Sequence, residues 1–150
     1  MRLILILPLF LTLLGCVQRL GDEPEIFDIV RSNDAAQLSF LIADGADPNM
    51  VNGVGHPLVF VATGPKGGFS VLDVLLAAGA NPNVAIPNGR TALHNAAGWC
   101  SVNAVITLLN YGADPHVAAN DGRTALDATC SAPQDRRQEV VRVLREAMSR

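Results

Sequence analysis

The residues able to do chemistry are few and scattered. The histidines are His56, His94 and His116, and the cysteines are Cys16, Cys100 and Cys130. A zinc site needs such ligands brought together, and its usual mark is a close C-x-x-C or H-x-x-x-H pair. The cysteines show no such spacing, and the histidines fall at different points of the pattern described below, so no metal site is expected. No G-x-S-x-G, P-loop, G-x-G-x-x-G or H-E-x-x-H occurs. Gly64-Pro65-Lys66-Gly67-Gly68 looks phosphate-binding at first sight. It lacks the spacing and the Ser/Thr partner of a Walker loop, and reads as an enlarged surface turn. Serine, histidine and aspartate are all present, but composition alone makes no triad. The expectation is a protein with no catalytic residue, no metal and no cofactor.

The elements that must position these residues follow a repeat. Gly45-Ala46-Asp47-Pro48-Asn49 returns as Gly79-Ala80-Asn81-Pro82-Asn83 and as Gly112-Ala113-Asp114-Pro115-His116. Gly89-Arg90-Thr91-Ala92-Leu93 returns as Gly122-Arg123-Thr124-Ala125-Leu126. The period is 33 to 34 residues, which marks an array of small supersecondary units. Thr91 suits a helix N-cap, because its hydroxyl accepts an orphan backbone N–H. Leu93, Ala96 and Ala97 then share one helix face. Val102, Val105, Ile106, Leu108 and Leu109 make the apolar side of a second helix. Gly112 ends it in the left-handed conformation that glycine adopts without a clash. Asn120-Asp121-Gly122 turns the chain back as a loop tip.

Four units result, at about 25–50, 51–84, 85–117 and 118–150. In the first, Ile26, Phe27, Ile29, Val30, Leu38, Phe40 and Leu41 are the expected core, and Asn33 takes the turn position. In the second, His56-Pro57-Leu58-Val59 stands where the Thr-Ala-Leu-His motif belongs, and the inter-helix turn is longer. The fourth places Cys130 near the end of its first helix. It then needs a longer turn, about Ser131–Arg137, before Val140, Val141, Val143 and Leu144. Its last helix has a charged outer face, five arginines against three acids between Asp135 and Arg150. Such a polar face suits the terminal cap of a stack, since an array's ends must stay soluble. A patch for a membrane or an acidic partner is the functional rival. The period, with its T-A-L-H start, resembles the ankyrin repeat over about residues 25–150. The resemblance implies an all-α solenoid of helix-turn-helix units joined by β-hairpin-like loops.

Composition allows a core, at 49% apolar and 17% charged residues, and excludes a disordered chain. The formal charge of −3 offers no general surface for nucleic acid. Residues 1–16 read MRLILILPLFLTLLGC: one arginine, then a run too short for the roughly 20 residues that span a bilayer. That is the pattern of a secretory signal. Leu13-Leu14-Gly15-Cys16 resembles the lipobox of bacterial lipoproteins. The resemblance implies cleavage after residue 15 and lipid on Cys16, with an ordinary signal peptide or an uncleaved anchor as alternatives. Residues 16–24 form a tether whose reach from Cys16 to Glu25 is only about 30 Å. Val17 stands where an aspartate would resemble an inner-membrane retention signal, which points to the periplasmic face of the outer membrane.

Cys100 and Cys130 make an even pair in an oxidising compartment. Neighbouring repeats stack about 10 Å apart, and a bridge needs Cα atoms within roughly 7 Å, so a disulfide requires a favourable stagger. Two buried thiols or a redox-sensing pair are the other readings.

The ankyrin resemblance implies a protein partner, bound through the loop tips and the concave face of the first helices. Carried onto this chain, those positions are Asn52, Gly53 and Gly55; Pro87, Asn88 and Arg90; Asn95, Gly98 and Trp99; and Asn120, Asp121 and Arg123. Tyr111 is expected near the same edge. Trp99 and Tyr111 are the chain's one tryptophan and one tyrosine, types favoured at interface hot spots. Alternatively, Trp99 packs over Tyr111 or the adjacent turn as a stabiliser. Arg90 and Arg123 form a small basic row or a solvated structural pair. The function expected is a lipid-anchored protein-binding module without catalysis. The alternatives are an immunity or inhibitor protein against a periplasmic effector, and a stress factor supporting a periplasmic redox enzyme such as a catalase.

Overall fold

The computed structural model describes residues 23–66, 68–131 and 133–150. The signal sequence, Cys16 and the tether through Asp22 lie outside these residues. Seven helices occur among those described: α1 (Glu25–Arg31), α2 (Ala35–Ala43), α3 (Leu58–Ala62), α4 (Phe69–Ala77), α5 (Ala92–Gly98), α6 (Val102–Asn110) and α7 (Gln134–Met148). They pack as antiparallel pairs, α1 with α2, α3 with α4 and α5 with α6. The first helices α1, α3 and α5 touch in one row, and α2, α4, α6 and α7 touch in another. No strand is present among the described residues, and the loop after α2 closes with a single antiparallel bridge, Val51 to Pro57. No helix among them is long and apolar enough to cross a membrane.

The seam between the rows is the core. Phe27, Val30 and Leu38 start it, Leu58, Leu72 and Leu75 continue it, and Leu93, Val105 and Leu108 follow. Val140 and Leu144 of α7 close it, with Ala125 buried and Leu126 packed at its margin. No pair could bury its own apolar face alone, so each repeat is stabilised by its neighbours.

The punctuation has a local cause. Gly45, Gly79 and Gly112 sit at φ +103°, +88° and +83°, left-handed positions that only glycine takes without cost. The following alanines, Ala46, Ala80 and Ala113, each donate their N–H to a carbonyl five residues back, at 2.9 Å. This bond satisfies an orphan acceptor at the helix end. Asp47, Asn81 and Asp114 then each accept the N–H two residues on, at 2.8, 2.9 and 2.8 Å. Gly-Ala-Asp-Pro is therefore one helix stop followed by one side-chain-closed turn. Inside the pairs the left-handed position goes to Asn33 (φ +57°) and Cys100 (φ +52°), in the same register.

Four expectations are corrected. The fourth unit has no first helix: residues 125–128 form only turns, because the Cys130 N–H donates to Ala97 O of the neighbouring repeat, 3.2 Å away, and Pro133 interrupts the chain soon after. The turn ahead of α7 also ends sooner than Arg137, since the helix starts at Gln134. Phe40, expected in the core, is 70% exposed. It holds the register of Val74 and Thr107, which an earlier repeat shields, whereas no earlier helix stands beside α2 among the described residues. Ile106 is also exposed, because it shares its register with the outward Ser39 and Asp73.

Candidate functional site

Three loop tips project from the stack, each closed by two backbone bonds: Asn52 N–H to His56 O (3.0 Å) with Gly55 to Asn52 (2.9 Å), Ile86 to Arg90 (2.9 Å) with Gly89 to Ile86 (2.8 Å), and Ala119 to Arg123 (2.8 Å) with Gly122 to Ala119 (2.9 Å). Most of the polar residues assigned here to a binding face build these tips. Asn52 Oδ1 accepts from the Val54 and His56 N–H groups, at 3.2 and 2.8 Å. Asn88 and Asp121 each accept at 3.1 Å from the N–H of Arg90 and Arg123. Asn120 ties two tips together, its N–H donating to Asn88 O (3.0 Å) and its side chain to Pro87 O (3.1 Å). Gly89 is fixed twice over. Its φ is +81°, and an added Cβ would run into Asn120. Gly53 and Pro87 are exposed beside these bonds.

Sequence reasoning missed a second ladder. Asn49 Oδ1 accepts from Asn81 N–H, and Asn83 Oδ1 from Asp114 N–H, both at 2.8 Å. Asn83 also donates to Gly112 O at 3.0 Å. Asparagine after the proline was the available signal, since it stands at that point in two repeats and can both donate and accept.

Below the tips, the first-helix row forms an open groove of about 350 Å³, lined by Arg31, His56, Phe60, Val61, Gly64, Pro65, Lys66, Asn95 and Trp99. Trp99 is 55% exposed on its wall. The rings of His56 and Phe60 meet at a tilt, centroids 5.1 Å apart. Asn95 spends both amide hydrogens on α3 and its turn, donating to Phe60 O (3.2 Å) and Thr63 Oγ1 (3.0 Å). The long turn after α3 thus supplies Gly64, Pro65 and Lys66 to the groove. At one end Arg31 pairs with Glu23, to which Asn52 also donates. The Arg31 guanidinium holds the Glu23 carboxyl below its ordinary range.

Tyr111 is not part of this groove. It caps the far end of α6, a helix about 13 Å long, and its hydroxyl lies 3.4 Å from Asp73 Oδ1 of α4. The tyrosine therefore belongs to the second-helix row, and Trp99 does not rest on it.

His94 is buried between repeats. Its Nδ1 faces the Thr91 N–H (3.2 Å) and Oγ1 (3.0 Å), and its Nε2 faces Arg123 O at 3.0 Å. The Arg123 carbonyl can only accept, so Nε2 carries the proton; the Thr91 N–H can only donate, so Nδ1 carries none and the ring is neutral. Burial pushes the imidazole below its ordinary pKa. In the fourth unit Asp127 replaces the histidine and accepts from Thr124 N–H and Oγ1, both at 2.9 Å. Arg90 reaches toward His94 O at 3.5 Å, so that half of the arginine row is engaged with the scaffold.

Cys100 and Cys130 are paired as a disulfide, their Cα atoms 5.6 Å apart. The Cys130–Ala97 backbone bond supplies the stagger that brings the two positions within reach. Among the described residues, no group of three or more His, Cys, Asp or Glu is placed to hold a metal ion.

Stacked helical pairs, projecting tips and a concave groove define a repeat scaffold. A family model described as ankyrin repeats (3 copies) matches residues 26–119 and again 58–149, and the chain belongs to that family. Ankyrin repeats are in general protein–protein interaction modules and non-enzymatic scaffolds. A search of curated proteins returned no match.

Proposed function

We propose that this chain is a lipid-tethered ankyrin module of the bacterial envelope, held at the periplasmic face of the outer membrane, that captures a protein without catalysis. The observation that carries the binding half is the exposed Trp99 on the wall of the groove. A large, rigid aromatic left half in water beside an apolar cleft is the type of residue that dominates interface energies. The tether half rests on the residue 1–16 pattern and on Cys16. A short leash raises the module's effective concentration near partners at the membrane.

The test of the tether is intact-mass measurement of the mature chain, with fractionation of cells making wild type or Cys16→Ser. The reading expects loss of residues 1–15, acyl mass on Cys16, and release of the variant from the membrane fraction. An unacylated mature chain in the soluble periplasm would contradict it.

A further inference from the structure

The groove has a chemical bias that narrows its occupant. Its floor and walls are apolar, from Phe60, Val61, Pro65 and the Trp99 indole, and two cations, Arg31 and Lys66, stand among them. Its volume is at the small end for binding clefts, enough for a few side chains of an extended segment rather than a folded surface. The Asn95 amide hydrogens are both committed, and its carbonyl oxygen has no donor among the described residues. That oxygen suits a peptide N–H. Two carboxylates already face Arg31, and one of them, Asp28 of its own helix, lies 3.1 Å away and is exposed. The other, Glu23, where the tether meets the domain, sits on Arg31 and accepts from Asn52. Lys66 has no ion-pair partner among the described residues.

We infer that the groove takes an extended acidic segment of a protein, its apolar side chain against Phe60 and Trp99, one carboxylate on Lys66 and another displacing Glu23 from Arg31. Charge complementarity at Lys66 selects this occupant: Arg31 is already paired with Glu23 and Asp28, and a basic segment would place like charge on the lysine. Exchange at Arg31 swaps one carboxylate for another, so little charge is left unpaired. Glu23 is thereby a resident competitor, and occupation of the groove frees the end of the tether. The inference rests on the reading of this face as a protein-binding surface.

Trp99 is the only tryptophan and reports the groove directly. The experiment titrates the full chain, in detergent micelles, with an acetylated pentapeptide carrying one phenylalanine followed by two aspartates. A counterpart with two lysines is the control. The acidic peptide is expected to shift Trp99 emission with a saturating curve, and the lysine peptide to leave it unchanged. Glu23→Gln should tighten the acidic peptide by about two- to fivefold, the worth of one partly exposed ion pair, and Lys66→Glu should weaken it by a similar factor or more. Both substitutions are at the surface, and matched thermal unfolding checks that they fold. Equal response to both peptides, or no gain from Glu23→Gln, would overturn the inference. Capture of a protein that Arg123→Glu abolishes while Trp99 emission stays fixed would also overturn it, yet leave the protein-binding reading standing. Acidic-peptide binding with no protein ever captured from the envelope would do the reverse.

Discussion

His94 shows how a residue that looks chemical is spent on structure. Its ring is neutral, buried, and hydrogen-bonded on both nitrogens, one bond closing its own helix and the other reaching the next repeat. The consequence is a pH dependence with a definite sign. In the unfolded chain the imidazole takes a proton near pH 6.5, while burial lowers its pKa in the fold. Below about pH 6.5 the unfolded state therefore binds more protons, and stability falls as the pH falls. Above that value the term is absent. The carboxyls with lowered pKa values, Glu23, Asp127 and Glu139, act in the same direction but near and below their ordinary values of 4.5 and 3.8. Urea unfolding between pH 7.5 and 5 therefore isolates His94. Wild type should lose stability across that range, His94→Gln should show a flatter profile, and His94→Ala should cost about 1–3 kcal/mol at pH 8 through lost hydrogen bonds. A wild-type profile as flat as that of His94→Gln would contradict this account of the ring.

At the scale of elements, the fourth unit is the informative one. Its Thr124–Asp127 cap begins a helix that never propagates, and a disulfide to Cys100 holds the segment against α5 and α6 instead. A bridge closing 30 residues of chain is worth about 3–4 kcal/mol by unfolded-state entropy. Cys130→Ser is expected to lower stability by about 2–4 kcal/mol in urea, with hydrogen exchange rising first over residues 124–131. Cys100→Gly should lose less than Cys100→Ser, by about 1 kcal/mol, because glycine accepts φ +52° freely. The three complete helical pairs were legible because the Gly-Ala-Asp-Pro stops and the apolar registers recur at a fixed period. The missing helix was not legible. Gly-Arg-Thr-Ala-Leu is the same in units three and four, and what differs is a backbone bond from Cys130 to Ala97, a contact between repeats. Phe40 and Ile106 were misplaced for a related reason: helical periodicity names a face but does not say which neighbour will cover it.

For the whole molecule, the two rows leave opposite sides with different uses. The second-helix row carries Phe40 and Tyr111 in the open, and the first-helix row carries the groove with Trp99. The groove wall was partly readable, since Trp99 and Asn95 follow from the repeat register. His56, Phe60, Lys66 and Arg31 were not grouped with them, because only stacking of three repeats brings those positions together. Tip residues such as Asn88, Asn120 and Asp121 were legible by place but not by role, as their side chains close turns that sequence alone leaves open. Within α7, Arg142 pairs with Glu139 and Glu146 at 2.5 and 2.7 Å. The most direct measurement compares capture of envelope proteins by wild type, Trp99→Ala and Phe40→Ala, with thermal unfolding of each recorded alongside. Both side chains are more than half exposed, so both variants should melt close to wild type. The account predicts that Trp99→Ala loses the captured protein and Phe40→Ala retains it; capture lost in Phe40→Ala but kept in Trp99→Ala would place recognition on the other row and contradict it.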